Sequence, residues 1–236
     1  MKSSLSLLIL SSALLIGAFG GSTSVATSVM PLKAQTAELT NRKNGPTAER
    51  TGAVVRYRID PAQSRFMANV GSGGLLWFLG HAHHFAVRDF TGEATVTPES
   101  IAPASLQMTI KAASLEETGK NFTEQQKQII NKSARSEVLQ VDKYPEIVFE
   151  SMNVTGKMKP DGQYEAKIEG NLTLHGVTRS VEIPTQVTVK GDTLHANGAF
   201  SINRSDYGVK THSIKWGTIR VRNKIRFEFE IVANKV

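Results

Sequence analysis

The sequence predicts an all-β fold, a closed antiparallel barrel of about eight strands with one short helix between strands. Three observations lead to this prediction. Apolar and polar residues alternate through most of the chain after residue 53, which is the period of half-buried strands. Turn residues such as Pro160-Asp161-Gly162 separate these stretches at short spacing, which favours antiparallel neighbours. One stretch near residue 130 has helical spacing instead.

The first 52 residues are expected to lie outside the barrel. Residues 1–26 start with Met1-Lys2, continue with an apolar run and end in small residues, which is the order of a secretory signal peptide. Cleavage is expected at the small residues 18–20 or 24–26, and an uncleaved N-terminal anchor is the alternative. Residues 27–52 have the composition of a flexible leader. We therefore expect export to the periplasm or the cell exterior, with the barrel domain at residues 53–236.

The strands are recognised by their alternation, and the chain contains no cysteine with which to staple them. A domain of about 180 residues is large enough to bury a core without disulfides. In residues 164–174 every second residue is apolar or glycine, and the residues between them are polar. The same alternation occurs at residues 55–60, 65–70, 106–112, 181–189, 194–202 and 219–231, and segments near 85–96 and 147–154 bring the expected number of strands to eight to ten.

The helix is expected to begin at Thr123. Thr123 and Gln126 form the pattern of a capping box, in which each side chain bonds the other residue's backbone N–H. The helical pattern should end at Tyr144-Pro145, since the residue before a proline avoids helical geometry. We expect this helix to cover one end or one seam of the sheet. Its apolar face would consist of Ile130, Ala134, Val138 and Val141.

Alternation alone leaves open which face points inward, because an outer-membrane barrel turns its apolar face to lipid. Here the polar faces are long and charged, aromatic residues make up only 7% of the chain, and a helix interrupts the strands. These features favour a soluble barrel with an apolar interior. Such a barrel is either filled by side chains or holds one small ligand. Several inward positions hold small residues, which either leave space or taper a packed barrel, and the alternation alone does not decide between the two. These residues are Ala68, Ala112, Ala166, Gly170, Ala196 and Gly198.

The net charge of +7 is spread along the chain and does not predict a nucleic-acid surface. The densest basic stretch lies near the C-terminus, where four cations recur at every second residue on one strand face. A solvated strand face explains it, and a weak, transient attraction to anionic lipid or a phosphate group is the alternative. The residues are Arg220, Arg222, Lys224 and Arg226.

Four motifs, in this order and spacing, resemble the YceI-like family of exported, lipocalin-like barrels. They are Tyr-Arg-Ile-Asp at residues 57–60, Lys-Tyr-Pro-Glu-Ile-Val-Phe-Glu-Ser at 143–151, Gly-Asn-Leu-Thr-Leu-His-Gly-Val-Thr at 170–178 and Phe-Ser-Ile-Asn-Arg-Ser-Asp-Tyr-Gly at 200–208. The resemblance implies a lipocalin-like barrel with a deep apolar cavity that binds a polyisoprenoid or another long-chain amphiphile, with its head group near the barrel mouth.

Two stretches depart from the family pattern. Gln63-Ser64 stands where the family usually has His-Ser, and residues 80–85 contain three histidines where it usually has one. The head-group preference of this chain is therefore expected to differ. From the inward parity and the resemblance we expect ligand contacts from Phe66, Ala68, His81, His83, Phe85, Phe149, Leu172, Leu174, Phe200, Arg204 and Trp216.

The histidines form the sharpest local cluster. His81 and His83 share a strand face while His84 points away, so two imidazoles could reach one metal ion. A metal site needs a third ligand, and His175, His195 or His212 would have to fold close. The alternative is a polar lid at the barrel mouth. The preceding apolar stretch 75–79 is expected to be a lid, a membrane-touching edge or an ordinary buried segment.

The sequence contains no serine-nucleophile elbow, zinc-protease motif or phosphate loop, so we expect no enzyme and no cofactor. Arg204 could face an anionic head group, although an internal ion pair with Asp206 is the simpler expectation. Three functions remain open: a carrier for a polyisoprenoid, isoprenoid quinone or fatty-acid-type lipid in transport, storage or stress protection, a metal- or haem-dependent enzyme or sensor using the histidines, and a structural cell-envelope domain. The oligomeric state also stays open, with a homodimer as one option.

Overall fold

The computed structural model describes residues 53–73, 80–97, 100–211, 213–214 and 219–236. The expected signal peptide, the leader, residues 75–79, His212 and Trp216 lie outside these described residues. Within the described part of the chain, no helix is both long and apolar enough to cross a membrane.

Twelve strands are found in the described residues, all paired antiparallel. Their alternating sequences explain why these stretches form strands, since one face of each can be buried while the other stays in water. The strands are β1 (Val55–Ile59), β2 (Arg65–Gly73), β3 (His83–Val87), β4 (Phe90–Thr97), β5 (Ser100–Lys111), β6 (Leu115–Glu117), β7 (Glu146–Met158), β8 (Tyr164–Leu174), β9 (Val177–Lys190), β10 (Thr193–Asn203), β11 (Ser213–Ile214) and β12 (Ile219–Lys235).

The sheet closes on itself as a barrel. The strand order is β1-β4-β5-β7-β8-β9-β10-β12, and β1 then pairs with β12 to complete the ring. From β12 the sheet also continues through β2 and β3 to β6. Each of these three added strands is joined by a short turn to a strand of the ring. β2 follows β1 and pairs with the same neighbour, β12, while β3 directly precedes β4 and β6 directly follows β5. The closed antiparallel barrel of eight strands predicted from the sequence is therefore confirmed, with three of its strands bent in two.

Each bend is a turn between the two consecutive segments of one bent strand. At the first bend Asp60 accepts hydrogen bonds from the Ala62 backbone N–H and from the Gln63 side chain. At the third a short 3-10 turn, Ala112–Ser114, connects β5 to β6. The expected count of eight to ten strands differs from twelve because β3 and β4 lie in the single predicted segment 85–96, and β6 and β11, with three and two residues, are too short to show an alternation.

Burial follows the predicted parity. In β8 the inward residues from Tyr164 to Leu174 are buried, and their neighbours in the strand are exposed or half-buried. The same holds for Phe66, Ala68 and Val70 in β2. The apolar face of the sheet is therefore the interior of the barrel, and the charged face is its outer surface.

The helix α1 (Glu124–Ser133) begins after Thr123, and the predicted capping box is present. A π-helical turn, Ala134–Val138, follows the helix. The helical structure thus ends earlier than the predicted Tyr144-Pro145 stop, because Gln140 takes a left-handed conformation with φ of 49°. The Asn131 side chain accepts from the Glu117 backbone N–H at 2.7 Å, so the helix covers the outer edge of β6.

Replacing the cap with alanine, Thr123→Ala, should loosen the first turn of α1, because the Gln126 N–H loses its acceptor. The expected cost is about 1 kcal/mol, which corresponds to roughly fivefold faster amide hydrogen exchange at that turn. Exchange followed by NMR measures this. The exposed helix variant Gln128→Ala is the control, and equal exchange in the two variants would show that the cap contributes nothing.

Candidate functional site

An apolar cavity occupies the barrel interior. Its volume, measured as the space open to the centre of a water-sized molecule, is about 120 Å³, roughly ten times what one water molecule needs on that measure. Among the described residues that line it, only two carry hydroxyl groups, Ser105 and Thr185. The Ser105 hydroxyl already bonds the Thr95 hydroxyl, and the Thr185 hydroxyl donates to the Ile183 carbonyl. The cavity wall therefore suits a hydrocarbon chain.

A layer of four packed phenylalanine rings contributes three of the residues that line this cavity, Phe66, Phe200 and Phe229. Phe66 packs on Phe227 and Phe229 with ring centroids 5.9 and 6.1 Å apart, and Phe200 stacks on Phe227 at 5.0 Å. The cross-strand pairs Phe66–Phe229 and Phe200–Phe227 explain the layer, because residues directly opposite on antiparallel strands share a face. The rings present flat apolar faces to the barrel interior.

The small inward residues make unequal contributions to the cavity. Ala166 and Ala196 line it. Above Gly170, in contrast, the ring of Phe149 occupies the place of a side chain, and above Gly198 the ring of Phe229 does so. The two glycines are thus needed for close packing of aromatic rings, and the alanines leave the open space.

A buried acid lies on the same inner face beyond the phenylalanine layer. Ala68 pairs with Phe85 and Phe85 with Glu117, so all three point inward. The Glu117 side chain is fully buried. It accepts from the backbone N–H groups of His84 and Gly119, at 3.1 and 2.7 Å. These two hydrogen bonds explain why a carboxyl group is tolerated in the interior, since a buried acid requires hydrogen-bond donors.

His83 completes the environment of this acid. Its Nδ1 lies 2.7 Å from the Glu117 carboxyl group, and a quarter of its side chain is exposed. The His83 ring stacks on Phe122 at 5.2 Å, and the His81 ring meets the edge of Phe122 at 5.6 Å. His84 points away, as predicted, and bonds the Asn69 side chain at 2.7 Å. The histidine cluster is therefore packed against an aromatic ring and one acid.

A metal site is not assembled in the described residues, which bring no group of three potential ligands together. His175, one of the proposed third ligands, packs against Tyr144 with ring centroids 4.2 Å apart. It sits with φ of 52° beside Gly176 in the two-residue turn between β8 and β9. His175 thus has a structural place in a hairpin turn that favours left-handed residues.

The residues predicted to contact ligand fall into two groups. Phe66, Phe149, Leu172 and Phe200 line the cavity. The described residues Ala68, His81, His83, Phe85, Leu174 and Arg204 lie outside its lining. Ligand contact by either group stays a prediction, as does contact by Trp216, which is outside the described residues.

Arg204 takes a different partner from the one expected. Its guanidinium donates to the Val209 carbonyl at 2.8 Å, while the Asp206 carboxylate accepts from Asn203 and Ser205. The expected Arg204–Asp206 ion pair is therefore wrong for the described residues, because Arg204 Nη1 and the Asp206 carboxylate each take another partner nearby, while the buried Arg204 Nε has no partner in the described structure. Next to them, burial and the charge of Asp206 raise the pKa of the Tyr207 hydroxyl, against a smaller opposing effect of Arg179.

Arg179 is a candidate that the sequence analysis missed. It pairs with Leu172, whose side chain is buried in the cavity wall, and so it lies on the inward face of β9. Its neighbours on that face, Val181 and Ile183, are apolar. The signal available in the sequence was one cation, Arg179, at an inward position between the apolar inward residues Val177 and Val181.

Comparisons with known proteins agree with this architecture. BcnA of Burkholderia cenocepacia superimposes with a TM-score of 0.59 at 23% identity, over 75% of this chain and 99% of that one. A polyisoprenoid binding domain from Saccharophagus degradans, implicated in plant cell wall breakdown, has a TM-score of 0.53 at 12% identity, over 77% of this chain and 99% of that one. At these identities the likeness shows a shared fold.

Sequence comparison identifies the family. A UPF0312 protein of Pseudomonas putida is 31% identical over 133 residues, 54% of this chain and 64% of that relative. One from Enterobacter is 32% identical over 146 residues, 60% of this chain and 67% of the relative. The chain thus spans somewhat less than two thirds of the first relative's length. The family model described as the YceI-like domain matches residues 57–233. The chain therefore belongs to the YceI-like family.

Proposed function

We propose that this protein binds one long-chain apolar ligand inside its barrel and carries out no catalysis. The observation that supports this most directly is the apolar cavity of about 120 Å³ inside the barrel: among the described residues that line it, only Ser105 and Thr185 carry hydroxyl groups, and both are bonded within the protein. Burying an apolar chain there would release about 0.8 kcal/mol per methylene. Few polar groups are available to select a polar molecule or to activate one.

The ligand class that fits best is a polyisoprenoid, an isoprenoid quinone or a fatty-acid-type lipid. The solved domain of the same fold from Saccharophagus degradans is described as polyisoprenoid binding, which supports the first of these. Together with the signal-like residues 1–26, this favours an exported protein that transports, stores or protects a lipid in the periplasm or outside the cell.

Native mass spectrometry of the purified, untagged protein tests this function. We expect a complex with one long-chain molecule of several hundred daltons, which organic solvent extracts and which the stripped protein takes up again. A stripped protein that binds neither long-chain alcohols nor long-chain acids would contradict the proposal. The same spectrum reports bound metal and subunit number.

A further inference from the structure

The ladder between β9 and β10 stops halfway along the two strands. Its pairs run from Thr193–Lys190 to Gly198–Thr185. β9 extends beyond this point to residue 177, still paired with β8, and β10 extends to residue 203, still paired with β12. Between residues 177–184 and 199–203 the described chain shows no pairing of these two strands. We name this opening in the barrel wall the β9–β10 split; it begins at Pro184, which has no backbone N–H to donate.

A polar groove lies along the split. Its volume is about 810 Å³, and it is lined by residues of β9, β10 and β12 and of the turn after β10. Val181 and Ile202 line the groove, while Ile183 and Phe200, two residues away along the same strands, line the apolar cavity. Groove and cavity are therefore neighbours along these two strands. A chain passing between β9 and β10 there would break no hydrogen bond of their ladder, although it would have to pass the contact between Arg179 and the Asp206 carbonyl.

The lining of the groove contains two cations and two acids, and its cations keep donors available for a negative group. Two of its cations are uncommitted: Lys224 forms no ion pair within the described residues, and Arg179 donates only from its Nε, to the Asp206 carbonyl at 3.2 Å. Both acids are committed, since Glu182 pairs with Lys167 at 3.1 Å and Asp206 accepts from Asn203 and Ser205. Charge-assisted hydrogen bonds from a guanidinium to phosphate or carboxylate are stronger than neutral ones.

Arg179 and Tyr207 supply independent observations. Arg179 lies on the inward parity of β9 but is exposed, because the split opens that face to water. The Tyr207 side chain lines the groove and is almost fully buried, with 2% exposure, and its hydroxyl has no partner in the described structure. Unsatisfied buried donors are rare. The unpartnered Tyr207 hydroxyl, together with the exposed Arg179 in the same groove, therefore indicates a place for a ligand.

We propose that the β9–β10 groove binds the anionic phosphate or carboxylate group of an amphiphile whose chain enters the cavity through the split. The inference rests on the proposed function, because it requires the cavity to hold the chain. It assigns the head group to the side of the barrel and makes Arg179 and Lys224 its binding residues.

The test compares three probes of the stripped protein: hexadecyl phosphate, hexadecanol and inorganic phosphate. We expect hexadecyl phosphate to bind roughly three- to tenfold more tightly than hexadecanol, the range for two partly exposed charge contacts. The double variant Arg179→Gln/Lys224→Gln should lose this preference and bind hexadecanol as before. The matched control is Lys157→Gln/Lys190→Gln, which removes the same charge at exposed positions away from the groove. It should keep the preference, and isothermal titration measures all affinities.

The outcomes separate the two proposals. If wild-type protein binds neither long-chain probe, the proposed function fails. If it binds both but the groove variant behaves like the control variant, the groove is not the head-group site and the inference is wrong. Inorganic phosphate binding as tightly as hexadecyl phosphate would also overturn it, since the groove would then be a site for a free anion.

Discussion

Filling the cavity with the variant Ala196→Phe is expected to weaken the binding of a long-chain ligand by about a hundredfold. Ala196 lines the cavity from β10, and a phenyl ring there would displace on the order of four methylene groups of the ligand, or about 3 kcal/mol. The loss should appear as failure to retain lipid during purification and as a higher dissociation constant for hexadecanol. No head-group contact is involved, so the affinity should fall equally for acids and alcohols.

The neighbouring variant Asn197→Phe is the matched control, because residue 197 is exposed on the outer face of the same strand. It should bind hexadecanol with wild-type affinity. Overpacking costs about 1–3 kcal/mol in a filled core, and an empty cavity should reduce that cost, so urea unfolding is expected to show a folded Ala196→Phe protein. Wild-type affinity in a folded Ala196→Phe protein would place the ligand outside the barrel.

The barrel could be predicted because a period of two specifies a face at every residue. β8 is the clearest case, since each of its inward residues is buried as the alternation requires. Closure was predictable from the number and length of such strands. The bends were not, because a change of apolar parity, as between Ile59 and Phe66, marks a turn but does not tell whether the next strand pairs with the same neighbour, as β1 and β2 do with β12.

The candidate site was predictable only in part. Parity identified Phe66, Phe149, Leu172 and Phe200 as cavity-lining residues. It could not distinguish Ala166, which leaves space, from Gly170, which is covered by the Phe149 ring, because that difference depends on a residue of another strand. The β9–β10 split could not be predicted either, because it depends on where two strands separate and not on the sequence of either strand alone.

Glu117 escaped the sequence analysis because its strand is too short to reveal a parity. β6 contains only three residues, and Glu116 and Glu117 stand side by side in it. Pairing with Phe85 of β3 decides which of them points inward. Glu116 remains outside, bound to Arg88 at 2.7 Å. Two adjacent and chemically identical residues thus have opposite environments.

Removing the buried acid with Glu117→Ala is expected to destabilise the barrel by about 3 kcal/mol. The change leaves the N–H groups of His84 and Gly119 without their acceptor, and orphaned buried donors cost about 1–3 kcal/mol each. It also removes the partner of His83, whose remaining exposure lets water compensate part of that loss. For a domain of this size the melting temperature should fall by roughly 6–12 °C, which calorimetry measures.

Glu116→Ala provides the comparison, because it deletes the same side chain one position away, where an exposed ion pair contributes at most about 1 kcal/mol. Glu117→Gln should fall between the two, since the amide keeps one oxygen to accept from the His84 and Gly119 N–H groups but places an NH₂ group where the second carboxyl oxygen meets His83 Nδ1. Equal melting temperatures for Glu116→Ala and Glu117→Ala would contradict the argument. The predicted order of stability, wild type and Glu116→Ala above Glu117→Gln above Glu117→Ala, follows from acceptor count alone and therefore separates the hydrogen-bonding role of Glu117 from any contribution of its size.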